Sequence, residues 1–232
     1  MHKRSSVLAS LALCCVLCQS CVSLVYSPFL HLPASPLQQD QVALSTGPSD
    51  MPETGSGISG CGEGILSYGV TDHFTLQGRA WSRFGDIRAL QLDGASLDGI
   101  VTLTDPPTSN QFQQIGDRYS RFDFALVPRA MSLFGSGELG LVGSISGALW
   151  IPSFWVLRPY VATGLIAGRV VSTSQYGGAG NGFGVVTNLG VTTTFNSHWS
   201  INAEYAYTIV QTTQTNRFYW YLVPSIALSY AF

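Results

Sequence analysis

The chain has 232 residues, of which 10% are charged and 12% aromatic, with 25 glycines and a formal net charge of -2. Its charge content lies far below the about 25% of an ordinary soluble domain, and no basic field points to nucleic acid. Past the N-terminal segment no apolar run reaches the about 18 residues of a membrane helix, which excludes a helical membrane protein but not a barrel, whose strands need only ~9–11 alternating residues.

Met1-His-Lys-Arg4 is positive and Val7–Cys18 is apolar, so residues 1–20 read as a signal peptide. Gln19-Ser20-Cys21 resembles a bacterial lipoprotein signal, in which Cys21 becomes the lipidation site. An ordinary signal peptidase could cut the same bond, because Cys18 and Ser20 are both small. Only Cys21 and Cys61 then remain in the mature chain. Either Cys21 carries lipid and Cys61 is unpaired, or the two are bridged. Residues 21–40 read as an extended linker, with three prolines between Ser27 and Gln39.

Residues 41–232 carry the period of two that marks strands with unlike faces. Gln41–Thr46 is a first strand. Gly64–Val70 and Phe74–Arg83 flank the turn Thr71-Asp72-His73, with Leu66, Tyr68, Val70 and Leu76 on one face and Gln77, Arg79 and Arg83 on the other. Residues 85–118, rich in aspartate and holding Pro106-Pro107, read as a long surface loop on the external side with room for a short hairpin. From Tyr119 the rhythm resumes. Phe122, Phe124 and Leu126 oppose Arg121, Asp123 and Arg129, and Leu139, Leu141 and Ile145 oppose Glu138, Gly140 and Ser144. Arg158–Val171 has apolar residues on both faces, which leaves its parity open. Phe183–Phe195, Ser200–Ile209 and Phe218–Phe232 alternate clearly, the last with Phe218, Trp220, Leu222, Ile226, Leu228 and Phe232 on one face.

A Cys, a Tyr-x-Pro segment, a Pro-Leu and a polar-led first strand, followed by Ile65–Arg79 as a first hairpin, resemble a poorly characterised group of outer-membrane barrel lipoproteins from Bacteroidetes-type bacteria. The C-terminal half is similar to small outer-membrane barrels in general. The resemblance implies a location in the bacterial outer membrane and brings no activity with it.

The expected fold is all-β: a closed antiparallel transmembrane β-barrel of eight to ten strands. Single-chain barrels of bacteria have an even strand count. Nine strands are clear, so either the 85–118 region supplies a tenth or the Gln41 segment lies outside and eight remain. A soluble barrel would have the same period with the polarity reversed. Scarce charge and aromatics at strand ends (Trp81, Trp150, Trp155, Trp199, Tyr219, Trp220) decide for lipid.

The polar residues expected to face inward are Glu63, Arg79, Arg83, Arg121, Asp123, Arg129, Glu138 and Glu204. They either form internal ion pairs filling a narrow interior or line a lumen that selects solutes. After Cys21 the histidines are His31, His73 and His198. They are too scattered for a metal centre or an acyl-hydrolase site, so neither metal, cofactor nor enzymatic activity is expected. The expected partners are outer-membrane lipid and the barrel-assembly machinery, the latter through the strand ending in Phe232. The expected role is structural or surface-interacting through external loops. The alternative is a small pore for polar solutes, with a lipid-modifying enzyme third.

Overall fold

A computed structural model describes residues 26–33, 37–52, 58–84, 92–104, 122–135, 138–152, 156–172, 180–196, 198–212 and 217–232. Ten strands follow one another: β1 (Val42–Pro52), β2 (Ile58–Thr71), β3 (Phe74–Arg83), β4 (Gly94–Thr102), β5 (Asp123–Gly135), β6 (Glu138–Trp150), β7 (Leu157–Ser172), β8 (Gly180–Thr194), β9 (Trp199–Thr212) and β10 (Arg217–Ala231). Each pairs antiparallel with its sequence neighbours, and β1 pairs with β10 to close the barrel. Closure leaves no sheet edge to be satisfied by water, which is what allows strands to cross hydrocarbon.

Alternation sets the two surfaces. In β10, Phe218, Trp220, Leu222, Ile226 and Leu228 point out and are exposed, while Tyr221, Val223, Ser225 and Ala227 point in and are buried. The same outward set continues around the wall through Leu66, Leu97, Leu126, Leu141, Leu165, Leu189 and Tyr205. An apolar belt of this extent on a monomer's outside has no counterpart in soluble barrels, whose exterior is polar. The interior carries the charge. Among the described residues no helix is long and apolar enough to cross a membrane.

The ends of the cylinder are distinct. β1 begins and β10 finishes at one of them, called the terminal end, which also holds the Thr71–His73 turn and the 195–198 connection. The opposite end carries the connections 53–57, 84–93, 136–137, 173–179 and 213–216.

Three expectations need correction, and one open reading is resolved. Residues 26–33 are not merely an extended linker: they run through the barrel interior, and Phe29 and Leu32 are fully enclosed there. The 85–118 stretch is not one external loop: it supplies the tenth strand that an even count allowed there, β4, paired with β3 and β5. Of the connections on either side of it, 84–93 lies at the opposite end, and 103–122 leaves from the terminal end. Trp81 and Trp150 do not belong to an aromatic girdle but are buried inside. β7 has a definite parity, with Arg158, Tyr160, Ala162 and Ile166 inward, and beyond Arg158 its inner face is apolar because it packs against the enclosed segment.

Candidate functional site

The candidate site is the lumen, where a charged collar on the wall grips the segment Tyr26–Pro33 by its backbone. β2 contributes Glu63, β3 Arg79, β4 Asp98, β5 Arg129 and β9 Glu204, all buried. Each sits at an inward position of its strand, and neighbouring strands bring them into register, Asp98 lying opposite Arg129. Arg129 grips Asp98 with Nε at 2.9 Å from Oδ1 and Nη2 at 2.7 Å from Oδ2, a two-point pairing suited to the planar guanidinium. Arg79 lies between two acids, 3.2 Å from Glu63 and 3.4 Å from Asp98.

Both arginines have donors to spare, and these go to the enclosed chain. Arg79 donates to the carbonyls of Phe29 at 2.7 Å and Leu30 at 2.8 Å. Arg129 donates to Ser27 O at 3.1 Å and to Phe29 O. Asn188 donates to Pro28 O at 2.9 Å, and Asn202 and Thr192 both donate to Leu32 O. At the terminal end Trp150 Nε1 donates to Pro33 O at 3.0 Å. Extended backbone with no sheet partner would be costly to bury, and the wall supplies what a neighbouring strand would.

Glu204 takes the opposite role. Its carboxylate accepts the backbone N–H of Leu30 at 2.9 Å and of His31 at 2.7 Å, together with the Tyr160 hydroxyl and the Asn188 amide. His31 adopts φ 46°, a left-handed conformation uncommon outside glycine. The bend aims two successive N–H groups at one carboxylate, an anion-holding arrangement. The imidazole is itself held, with Nε2 at 2.9 Å from both Glu63 Oε1 and Ser225 Oγ, and Nδ1 at 3.2 Å from Asn202 Oδ1.

Apolar packing completes the closure. Tyr26 and Phe29 join Met51, Trp81, Leu133 and Tyr221 towards the opposite end, while Leu30 and Leu32 join Ile100, Val127 and Trp150 towards the terminal end. Two glycines make room. A Cβ on Gly69 would stand 1.9 Å from Gln38 O, where the segment turns back towards β1, and one on Gly190 would stand 2.1 Å from the Tyr160 ring. Tyr160 can reach Glu204 because the cross-strand position beside it has no side chain.

Of the residues expected inside, Glu63, Arg79, Arg129 and Glu204 meet in this collar. Asp123 forms a separate buried pair with Arg158 near the terminal end, and Thr104 donates to it at 2.8 Å. Arg83 is half-buried and pairs with Asp93 at 2.9 Å near the opposite end. Arg121 lies outside the described residues, as does the side chain of Glu138. Sequence reasoning missed Asp98, Tyr160, Arg158 and the whole enclosed segment, while the period of two already set Asn188 and Asn202 on the inward face. The alternation Ser96-x-Asp98-x-Ile100-x-Thr102 against Leu97 and Val101 carried the signal for Asp98, but it is obscured by the aspartates around it.

Cys61 is a buried free thiol facing the lumen, and Cys21 lies outside the described residues. His198 serves local structure: Nδ1 lies 2.9 Å from Ala231 O, and the ring stacks on Tyr230. Among the described residues no group of acids, histidines and cysteines could hold a metal ion.

No family model and no curated protein matches the chain. Among solved structures it is similar to the N-terminal β-barrel domain of Pseudomonas aeruginosa OprF, at 13% identity over 84% of this chain and 100% of that one, with a TM-score of 0.39. It is also similar to Yersinia pestis Ail in complex with sucrose octasulfate, at 11% identity over 84% and 100%, with a TM-score of 0.34. The Escherichia coli outer membrane protease OmpT is a third, at 6% identity over 84% and 94%, with a TM-score of 0.40. Likeness this remote says nothing of a shared role. The chain's place in the bacterial outer membrane rests on its own construction, a closed even-stranded barrel with an apolar exterior.

Proposed function

We propose that the protein is a plugged outer-membrane barrel with a structural or surface-interacting role, closed to solutes by its own N-terminal segment. The observation that carries this reading is the grip on residues 27–33, whose carbonyls are met by wall donors from β3, β5, β6, β8 and β9. A lumen so occupied leaves the connections of the opposite end as the surface for contact with an outside partner. The C-terminal strand ending in Phe232 is then the element offered to the assembly machinery, and Cys21 the lipid acceptor, as in the Bacteroidetes-type lipoproteins it resembles.

The test is single-channel current in a planar bilayer after refolding and verified insertion. The intact mature chain should be silent. A chain lacking residues 26–33 should give stable, stepwise currents, because the collar of Glu63, Arg79, Asp98, Arg129 and Glu204 would then line water. Stable currents from the intact chain would favour the pore for polar solutes instead.

A further inference from the structure

The enclosed segment has a direction, and it runs against β1. Tyr26 N–H donates to the carbonyl of Pro52, the last residue of β1, at the opposite end. Six residues later Leu32 O is held by Thr192 and Asn202, and Pro33 O is held by the Trp150 indole, at the last residue of β6. Beyond it Gln39 N–H donates to Asp72 in the β2–β3 turn, and Asp40, at φ 65°, turns the chain into β1. The chain therefore enters the cylinder at the opposite end and descends to the terminal end.

Only residues 22–25 separate Cys21 from Tyr26. At ~3.3–3.6 Å per residue Cys21 lies within roughly 18 Å of Tyr26. The 11 residues of β1 span about 36 Å at ~3.3 Å each. Cys21 cannot return to the terminal end through a filled lumen, nor can so short a tether reach it around the outside. In an even-stranded barrel assembled from the periplasm, the terminal end is the periplasmic one.

We propose that the N-terminal segment crosses the outer membrane inside its own barrel and presents Cys21 on the external face, where its acyl chains enter the outer leaflet. The threading stands on the geometry above; the lipid rests on the reading of Cys21 as the acceptor. An external lipid would anchor the chain from the side opposite to that from which its strands were inserted.

The experiment places an octapeptide epitope between Ser23 and Leu24 of the full chain and a control epitope between Thr108 and Ser109, in the connection at the terminal end. Intact cells are probed with a membrane-impermeant antibody, and barrel folding is checked by heat-modifiable migration. The first epitope should react in intact cells and the control only after permeabilisation. Reaction of the first epitope only after permeabilisation would overturn the threading. Should the insertion prevent folding, Ser23→Cys labelled with an impermeant maleimide in intact cells decides the same point. Incorporation of an alkyne-bearing fatty acid should be seen in the wild type and lost in Cys21→Ser. Its absence from the wild type, or its persistence in Cys21→Ser, would overturn the lipid while leaving the epitope result to decide the threading.

Discussion

Glu204 shows how a single residue can serve two partners. It closes the wall network through Tyr160 and Asn188 and at the same time receives two N–H groups of the enclosed chain. Glu204→Gln keeps the shape but turns an amide donor towards donors, so the loss should be about 1–3 kcal/mol. Hydrogen exchange should show the Leu30 and His31 amides losing protection first. Arg129→Ala removes both the two-point grip on Asp98 and two bonds to the enclosed backbone. Leaving Asp98 buried with only the more distant Arg79 should cost about 3–5 kcal/mol in urea unfolding from lipid vesicles. The double variant Arg129→Ala/Asp98→Ala should be less destabilised than the sum of the single ones, by about 0.5–3 kcal/mol. Strict additivity would mean that the pair is not coupled.

At the level of elements, legibility followed the chemistry of each strand's two faces. β2, β3, β5, β8, β9 and β10 contrast large apolar residues with small or charged ones, and their parity could be read directly. β7 could not, because Tyr160, Ala162 and Ile166 face a packed interior rather than water, and the period of two disappears when both surroundings are apolar. β4 was hidden for the converse reason: its inward Asp98 resembles the loop aspartates beside it. The enclosed segment has no pattern of its own. Its prolines fit an extended chain, and only the wall's donors distinguish a luminal strand from a solvated tether. Of the collar, four charges were visible as inward positions, but their assembly around a peptide was not, since nothing in those strands names the ligand. Packing between β7 and β8 offers a test. Gly190→Ala should push Tyr160 from its place and destabilise the barrel by about 1–3 kcal/mol in the same urea titration. Tyr160→Phe, which loses only the hydroxyl, would separate the steric from the hydrogen-bonding part.

For the whole molecule, the apolar exterior and the charged interior are one design seen from two sides: the wall sorts its residues by parity, and lipid and peptide take opposite faces. Leu222 lies near the middle of β10 and points outward. Leu222→Arg should therefore cost about 2–4 kcal/mol of stability in bilayers, whereas a soluble barrel would tolerate it at the surface. Closure has a further consequence in the order of events. β1 meets β10 in register over Ala43–Thr46 and again at Ser49, and Ser229 donates to Ser45 across this seam at 2.7 Å. A peptide gripped by its backbone along the full height of a filled cylinder cannot slide in after the ring is shut. The expected order is that the seam closes around a segment already laid across the unfinished sheet. The product resembles a rotaxane, an axle captured by its own wheel, with the start of β1 as one stopper. A synthetic peptide of residues 26–33 added to a refolded barrel that lacks them should accordingly fail to silence its current, because what holds the axle is the sequence of assembly as much as affinity.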